Sequence, residues 1–378
     1  MTAGVAAAPL LPAYARHDVT FVAGEGCVLT DAAGREHLDL LGGIAVVSLG
    51  HRHPAPLAAA QAQLERLWHV SNLYSTEPMA ELARLLSDRF GGARAFFCNS
   101  GTEAVEAALK WARKATGRHE LVALDGSFHG RTLGALAVTG QPGKRTAWEP
   151  LSPAVRFAAA DADALAAVVG PGTAAIVLEP VQGEGGIHPL PPGLLTAARV
   201  LADRHGALLV LDEVQCGVGR TGSFFAWEAE AVRPDAVVLA KGLANGLPIG
   251  ALLVADDAPD GFEPGDHGST FGGNPVACAA ACAVVETVDD ALLAAVRALG
   301  DRLAAGLAAL PGVTEVRGKG LMLGAALDRP AGPVVAACLE AGVLVGTAGE
   351  TVLRLTPPLT VSAAELDTGL SLIEEVLA

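Results

Sequence analysis

The stretch Ala236-Val-Val-Leu-Ala240 passes directly into Lys241 and then into Gly242-Leu-Ala-Asn-Gly-Leu-Pro-Ile-Gly250. An apolar run without alternation forms a strand buried on both faces, the kind found inside a parallel sheet covered by helices. Such a strand dictates much of what surrounds it. It needs parallel neighbours, and each parallel connection needs a crossover, usually a helix.

The neighbours are legible. Residues 95–99, 120–124, 174–178 and 207–211 read as further buried strands. Helical spacing of apolar residues appears over 56–69, 79–90, 104–114 and 194–205. This alternation predicts an α/β fold built on a mostly parallel sheet. After Pro275 an alanine-rich helical region runs to about residue 310, followed by a strand at 321–327 and a helix at 333–341. A strand at 352–355 and a last helix at 363–377 complete a smaller α+β unit. Short strand-like pieces at 26–31 and 36–41 are expected to join it. The division expected is 1–55 for the N-terminal segment, 56–275 for a large domain and 276–378 for a small one.

A lysine that ends a core strand is partly desolvated, which lowers its pKa and makes the neutral nucleophilic amine accessible. Alone, Lys241 could equally snorkel to solvent. Two other strand ends bear on the choice. Residues 206–211 run into Asp212-Glu-Val-Gln215, an acid at the carboxyl end of a strand. Asn99-Ser-Gly-Thr-Glu103 opens a helix, with Ser100 and Glu103 spaced as a capping box. Read singly, these are a strand-end cap and an N-cap. Read with Lys241, they supply an amine for a carbonyl, a carboxylate for a pyridine nitrogen and a helix N-terminus for a phosphate. Pyridoxal 5'-phosphate requires those three grips.

The formal net charge is −15, which argues against nucleic acid or an anionic membrane as partner. An anionic substrate then needs local arginines. Arg131, in Phe128-His-Gly-Arg-Thr132, can hold a carboxylate bidentately, and Phe128 can stack on an aromatic ring. Arg354 is flanked by Leu353 and Leu355 on a strand, so it needs a buried partner, protein or substrate. Glu184, in Glu179-Pro-Val-Gln-Gly-Glu-Gly-Gly186, is the candidate. Gln215 is placed to reach a ring hydroxyl oxygen. Thr270, in His267-Gly-Ser-Thr-Phe-Gly-Gly-Asn-Pro275, offers a hydroxyl to a phosphate. His51 and His53 lack a second cluster that would make them metal ligands, and a loop before a helix is the expectation. Six cysteines without a Cys-x-x-Cys, and no apolar stretch long enough for a bilayer, suggest a cytoplasmic protein with reduced thiols. Residues 1–12 lack the positive start of a leader peptide.

These motifs, in this order, resemble those of the class III, fold-type-I pyridoxal-phosphate aminotransferases. The likeness spans nearly the whole chain, from Leu49-Gly-His-Arg-His-Pro54 through Asn99–Glu103, Phe128–Thr132, Glu179–Gly186, Leu211–Gln215 and Gly219-Arg-Thr-Gly222 to Ala240-Lys-Gly242, His267–Pro275 and Leu353-Arg-Leu-Thr-Pro-Pro358. It is strongest to the members that use N-acetylornithine in arginine biosynthesis. The resemblance implies a seven-stranded sheet and a homodimer with shared active sites. It implies Lys241 as Schiff-base lysine and general base, Asp212 at the ring nitrogen, Gln215 near the ring oxygen and Phe128 on the ring face. Ser100, Gly101 and Thr102 would take the phosphate, with Thr270 reaching it from the neighbouring subunit. Arg354 would take the α-carboxylate of glutamate and Arg131 the distal one, in a ping-pong exchange with 2-oxoglutarate. Glu184 is expected to pair with Arg354 and to swing away when glutamate arrives. The stretch Gly42-Gly-Ile-Ala-Val46 lacks the aromatic of ornithine-specific relatives. Succinylornithine, ornithine, carrier-bound lysine and 4-aminobutyrate remain as alternative donors.

Overall fold

The computed structural model describes residues 9–152 and 154–378. The reading of residues 1–12 as no leader therefore falls largely outside the described part.

Seven strands form the central sheet. From one edge to the other they are Ala93–Cys98, Gly250–Ala255, Ala236–Leu239, Leu208–Asp212, Thr173–Leu178, Glu120–Leu124 and Val155–Ala158. All neighbours are parallel except Gly250–Ala255, which runs against both of its own. The sheet is mostly parallel, as the apolar runs predict. The antiparallel strand was hidden in the sequence because only the lysine loop with its single 3-10 turn, Lys241–Ala244, and no α-helix separates it from Ala236–Leu239. A hairpin-like return needs no crossover.

Every residue of Thr173–Leu178, Leu208–Asp212, Ala236–Leu239 and Gly250–Ala255 is buried. Helix Gly101–Thr116 packs across the middle of this sheet and buries Val105, Leu109 and Trp111. The expected helix at 56–69 is shorter, Pro54–Leu64. Beyond it the Trp68 indole N–H bonds the Leu64 carbonyl at 2.7 Å, and the chain turns away. The alanine-rich region after Pro275 is two helices, Pro275–Thr287 and Asp290–Ala308. The break comes at Asp289, whose carboxylate accepts the Leu292 N–H at 2.8 Å and caps the second helix.

A second sheet contains Val313–Lys319, Met322–Leu327, Val352–Leu355 and Gly346–Thr347. A third joins the N-terminal strands Phe21–Glu25, Val28–Asp31 and Glu36–Asp39 to Val343–Leu344, with Leu38 opposite Val343. His51 hydrogen-bonds Asp39 at 2.8 Å, and the His53 ring accepts the Ala55 N–H at the start of its helix.

Candidate functional site

Six of the seven central strands run the same way, so their carboxyl ends share one edge, where open α/β sheets bind ligands. A cavity of about 450 Å³ opens there. Its wall includes Ser100, Gly101, Thr102, Phe128, Arg131, Glu179, Glu184, Asp212, Gln215 and Lys241. Residues scattered over 140 positions meet because each follows a strand end.

At one end of the cavity lies the start of helix Gly101–Thr116. Ser100 is extended, and its hydroxyl accepts the Glu103 N–H at 3.4 Å. Glu103 reaches back to the Asn99 N–H, one residue earlier than a capping box would have it. The Thr102 hydroxyl pairs with that of Thr132 at 2.8 Å, tying the helix start to the loop that carries Phe128. A Cβ on Gly101 would lie 2.7 Å and 2.8 Å from the two methyls of Val214. The backbone here is packed too closely for a side chain. Free N–H groups in a helix first turn make a ready anion cradle.

Asp212 is held from both sides. Its Oδ1 accepts the Val214 N–H at 3.0 Å, and Oδ2 lies 2.7 Å from His129 Nδ1. Burial alone would depress His129, but the hydrogen bond and charge of Asp212, with Glu179 adding, raise it above the ordinary histidine range. Gln215 lines the same wall, and its buried Oε1 has no partner among the described residues.

Lys241 follows strand Ala236–Leu239 with φ of +43°, a left-handed conformation uncommon for a side-chain-bearing residue. Strain of this kind persists where the surroundings over-determine the backbone. They do so here. The Ser48 hydroxyl bonds the Gly242 carbonyl at 2.7 Å, and Asn245 bonds both Leu49 N–H and the Gly50 carbonyl. The N-terminal segment thus buttresses the lysine loop. Burial pushes the Lys241 amine below the usual lysine range; Glu184 opposes the shift and Arg354 adds to it.

Arg354 is only 4% exposed, within the wholly buried strand Val352–Leu355. Its Nη1 donates to Glu184 Oε1. Burial would raise the Glu184 carboxyl, yet Arg354, with Lys241 and Lys144, holds it below the usual range. Arg131 is exposed at the mouth, its guanidinium 5.5 Å from the centre of the Phe128 ring. Thr270 is also exposed and does not line the cavity of its own chain.

An amine at a strand end, a carboxylate fixed across the wall from it, an unpartnered buried amide oxygen and a helix N-terminus form a donor set that fits pyridoxal 5'-phosphate. Lys241, Asp212, Gln215 and residues 100–102 are the groups that would hold it.

Three residues in or beside this site went unassigned by the sequence reading. His129 is one, and Lys144, 4.0 Å from Glu184 Oε2, is another. Glu179 is the third: its Oε1 accepts the Phe128 N–H at 2.7 Å and its Oε2 the Gly183 N–H at 3.1 Å. It joins the loop of Phe128 to the turn of Glu184, and burial pushes its carboxyl up to about 7. The signal for Glu179 was present, since it ends an apolar strand just as Asp212 and Lys241 do. His129 and Lys144 carried none, because neither ends a strand.

The family model for aminotransferase class III matches residues 13–377. The chain is 50% identical to the acetylornithine aminotransferase of Mycolicibacterium smegmatis, over 96% of this chain and 95% of that protein. Among solved structures it is similar to ornithine aminotransferase from Toxoplasma gondii, with TM-score 0.93 and 31% identity over 98% of this chain and 92% of that one. It is also similar to N-acetylornithine aminotransferase from Stenotrophomonas maltophilia, with TM-score 0.83 and 36% identity over 96% of both chains.

Proposed function

The chain belongs to the class III aminotransferases, and from that premise we propose that it moves the δ-amine of N2-acetylornithine to 2-oxoglutarate, giving N-acetylglutamate 5-semialdehyde and glutamate. The observation that carries the reading is the pairing of buried Arg354 with half-buried Glu184 at the cavity that Lys241 lines. Two substrates must use one site in turn. N2-acetylornithine has no carboxylate beside its reacting amine, so Arg354 needs a protein anion. Glutamate brings its own carboxylate, and Glu184 must then give way.

Pyridoxal 5'-phosphate, when bound, supplies a carbonyl that exchanges amines and a ring that accepts electrons from the neighbouring carbon. The chain supplies the rest. Lys241 Nζ, kept neutral more readily by burial, removes the proton from the substrate carbon and returns it on the other side of the exchange. Asp212, pinned by His129 and Val214, keeps a negative charge where the ring nitrogen must stay protonated. Phe128 offers its face to the ring, and Gln215 Oε1 a partner for the ring hydroxyl. Arg131 holds the distal carboxylate of either substrate. Val46 lines the cavity, and the stretch 42–46 that carries it holds no aromatic, which suits an acylated donor.

The working unit is a homodimer with Thr270 given to the partner's phosphate. Trp68, Leu73, Tyr74 and Phe271 are exposed, and Asn72 and Asn274 bind their two segments together beside Thr270. An apolar face of this kind suits a second copy. The reading includes a cytoplasmic location, consistent with six free thiols. No helix among the described residues is long and apolar enough to cross a membrane.

The test is the single half-reaction, followed by cofactor absorbance, with N-acetylornithine, succinylornithine, ornithine and 4-aminobutyrate. Rapid conversion by N-acetylornithine with ornithine slow supports the reading. Conversion by glutamate and by none of the acylated amines overturns the donor. Glu184→Ala should slow the N-acetylornithine half-reaction more than the glutamate one, and equal losses would sink the switch.

A further inference from the structure

Lys144 belongs to no part of the mechanism above, yet it sits beside the group that must move. Its Nζ is 4.0 Å from Glu184 Oε2, while Oε1 of the same carboxylate takes the Arg354 guanidinium. Glu184 therefore lies between two cations, one on each oxygen. Lys144 also lies over the Phe128 ring, 4.8 Å from its centre, and it is not among the residues that line the cavity. Its amine is lowered chiefly by burial, with Glu184 opposing, Arg131 and Arg354 lowering it further, and Glu179 opposing.

We propose that Lys144 is the positioning residue that receives Glu184 once a substrate carboxylate has taken Arg354 from it. The proposal rests on the reading of Glu184 as a removable partner of Arg354. A carboxylate expelled from its arginine in this partly buried site would be left uncompensated and beside the incoming anion, which disfavours the expelled state. A cation already facing its second oxygen removes that penalty, because a rotation of the side chain exchanges one partner for the other. The charges agree. Arg354 and Lys144 pair with Glu184, with Lys241 acting on it at longer range, while Arg131 and Glu179 act on Lys144. A dicarboxylate substrate brings a second carboxylate to Arg354 and frees Glu184 for Lys144; a monocarboxylate donor does not, and Glu184 then stays shared. Lys144 thereby favours the oxo-acid half of the cycle and acts through Glu184, not on the substrate.

The experiment uses holoenzyme and glutarate, a dicarboxylate without an amine, with binding read from the cofactor spectrum. Lys144→Met should weaken glutarate binding about tenfold, equivalent to about 1.4 kcal/mol. It should raise KM for 2-oxoglutarate by a similar factor with a smaller effect on kcat. The N-acetylornithine half-reaction should change less, and Lys144→Arg should restore glutarate binding. In a Glu184→Ala background, Lys144→Met should add little, since its partner is gone. A penalty as large in that background as in the wild type would mean direct contact with the ligand and overturn the proposal. So would equal losses in both half-reactions. If Glu184→Ala itself leaves the balance of half-reactions unchanged, the switch reading fails first. If Glu184→Ala shifts that balance and Lys144→Met does nothing, the role of Lys144 alone is refuted.

Discussion

Replacing His129 by leucine tests how the site holds its central carboxylate. The imidazole side chain is wholly buried, and its Nδ1 is 2.7 Å from Asp212 Oδ2. Leucine fills a similar volume, so the main loss is the donor, not a cavity. A buried hydrogen bond to a charged group contributes roughly 1.5–3 kcal/mol. Stranding the carboxylate of a buried pair raises the loss towards ~3–5 kcal/mol. Asp212 keeps its bond to the Val214 N–H, which favours the lower end of that range. The pH dependence has a definite sign. Asp212 and Glu179 outweigh burial and raise the folded-state pKa of His129. A group raised in this way contributes stability that is fully present below the unfolded pKa and is lost as pH rises through the folded one. The gap between wild type and His129→Leu should therefore be widest near about pH 5.5 and narrow as pH climbs above the ordinary histidine range of about 6.5. Urea midpoints of the cofactor-free protein at fixed concentration measure it. Burial pushes the Glu179 carboxyl up to about 7 while the charge of His129 lowers it, so the comparison is made in a Glu179→Gln background, where His129 alone distinguishes the two proteins. A gap that stays constant from acid to alkaline pH would show that folding does not shift His129, and a gap that narrows towards acid pH would show an imidazole held neutral; either refutes the argument. No gap at all would show that Asp212 does not depend on His129.

Gly101→Ala should weaken apparent affinity for pyridoxal 5'-phosphate by about tenfold or more, because the new methyl meets both Val214 methyls and overpacking costs about 1–3 kcal/mol. Unchanged affinity by titration of the cofactor-free enzyme would show that the helix start can shift freely. Mixing Lys241→Ala with Thr270→Ala should recover activity on subunit exchange, since one site of the hybrid then has both native groups. No recovery after verified exchange would refute a threonine shared across the dimer. Glu213, buried and pushed up to about 8, accepts the Ala226 and Trp227 N–H groups. Its raised pKa contributes stability at low pH that is lost as pH rises towards about 8, so Glu213→Gln should flatten the decline in unfolding temperature between about pH 5 and 8. An equally steep decline in the variant would show that Glu213 is not the titrating group.

Much of this could be read from the chain, for one reason: a buried parallel strand needs an apolar run, and the polar residue ending it is conspicuous. Lys241, Asp212 and Glu179 all stand at such ends, and Arg354 stands out by its apolar flanks. Helix ends and the antiparallel strand Gly250–Ala255 were less legible, since local spacing does not say where a tertiary contact stops an element. By itself the sequence determined the α/β class, the kinds of chemical group available and the edge of the sheet where they collect. The tertiary structure decided which groups pair. His129 on Asp212, Glu179 across two loops and Glu184 between Arg354 and Lys144 join residues up to 170 positions apart. Their pKa values and partners arise only when burial strips water from them and leaves each charge to the nearest opposite one.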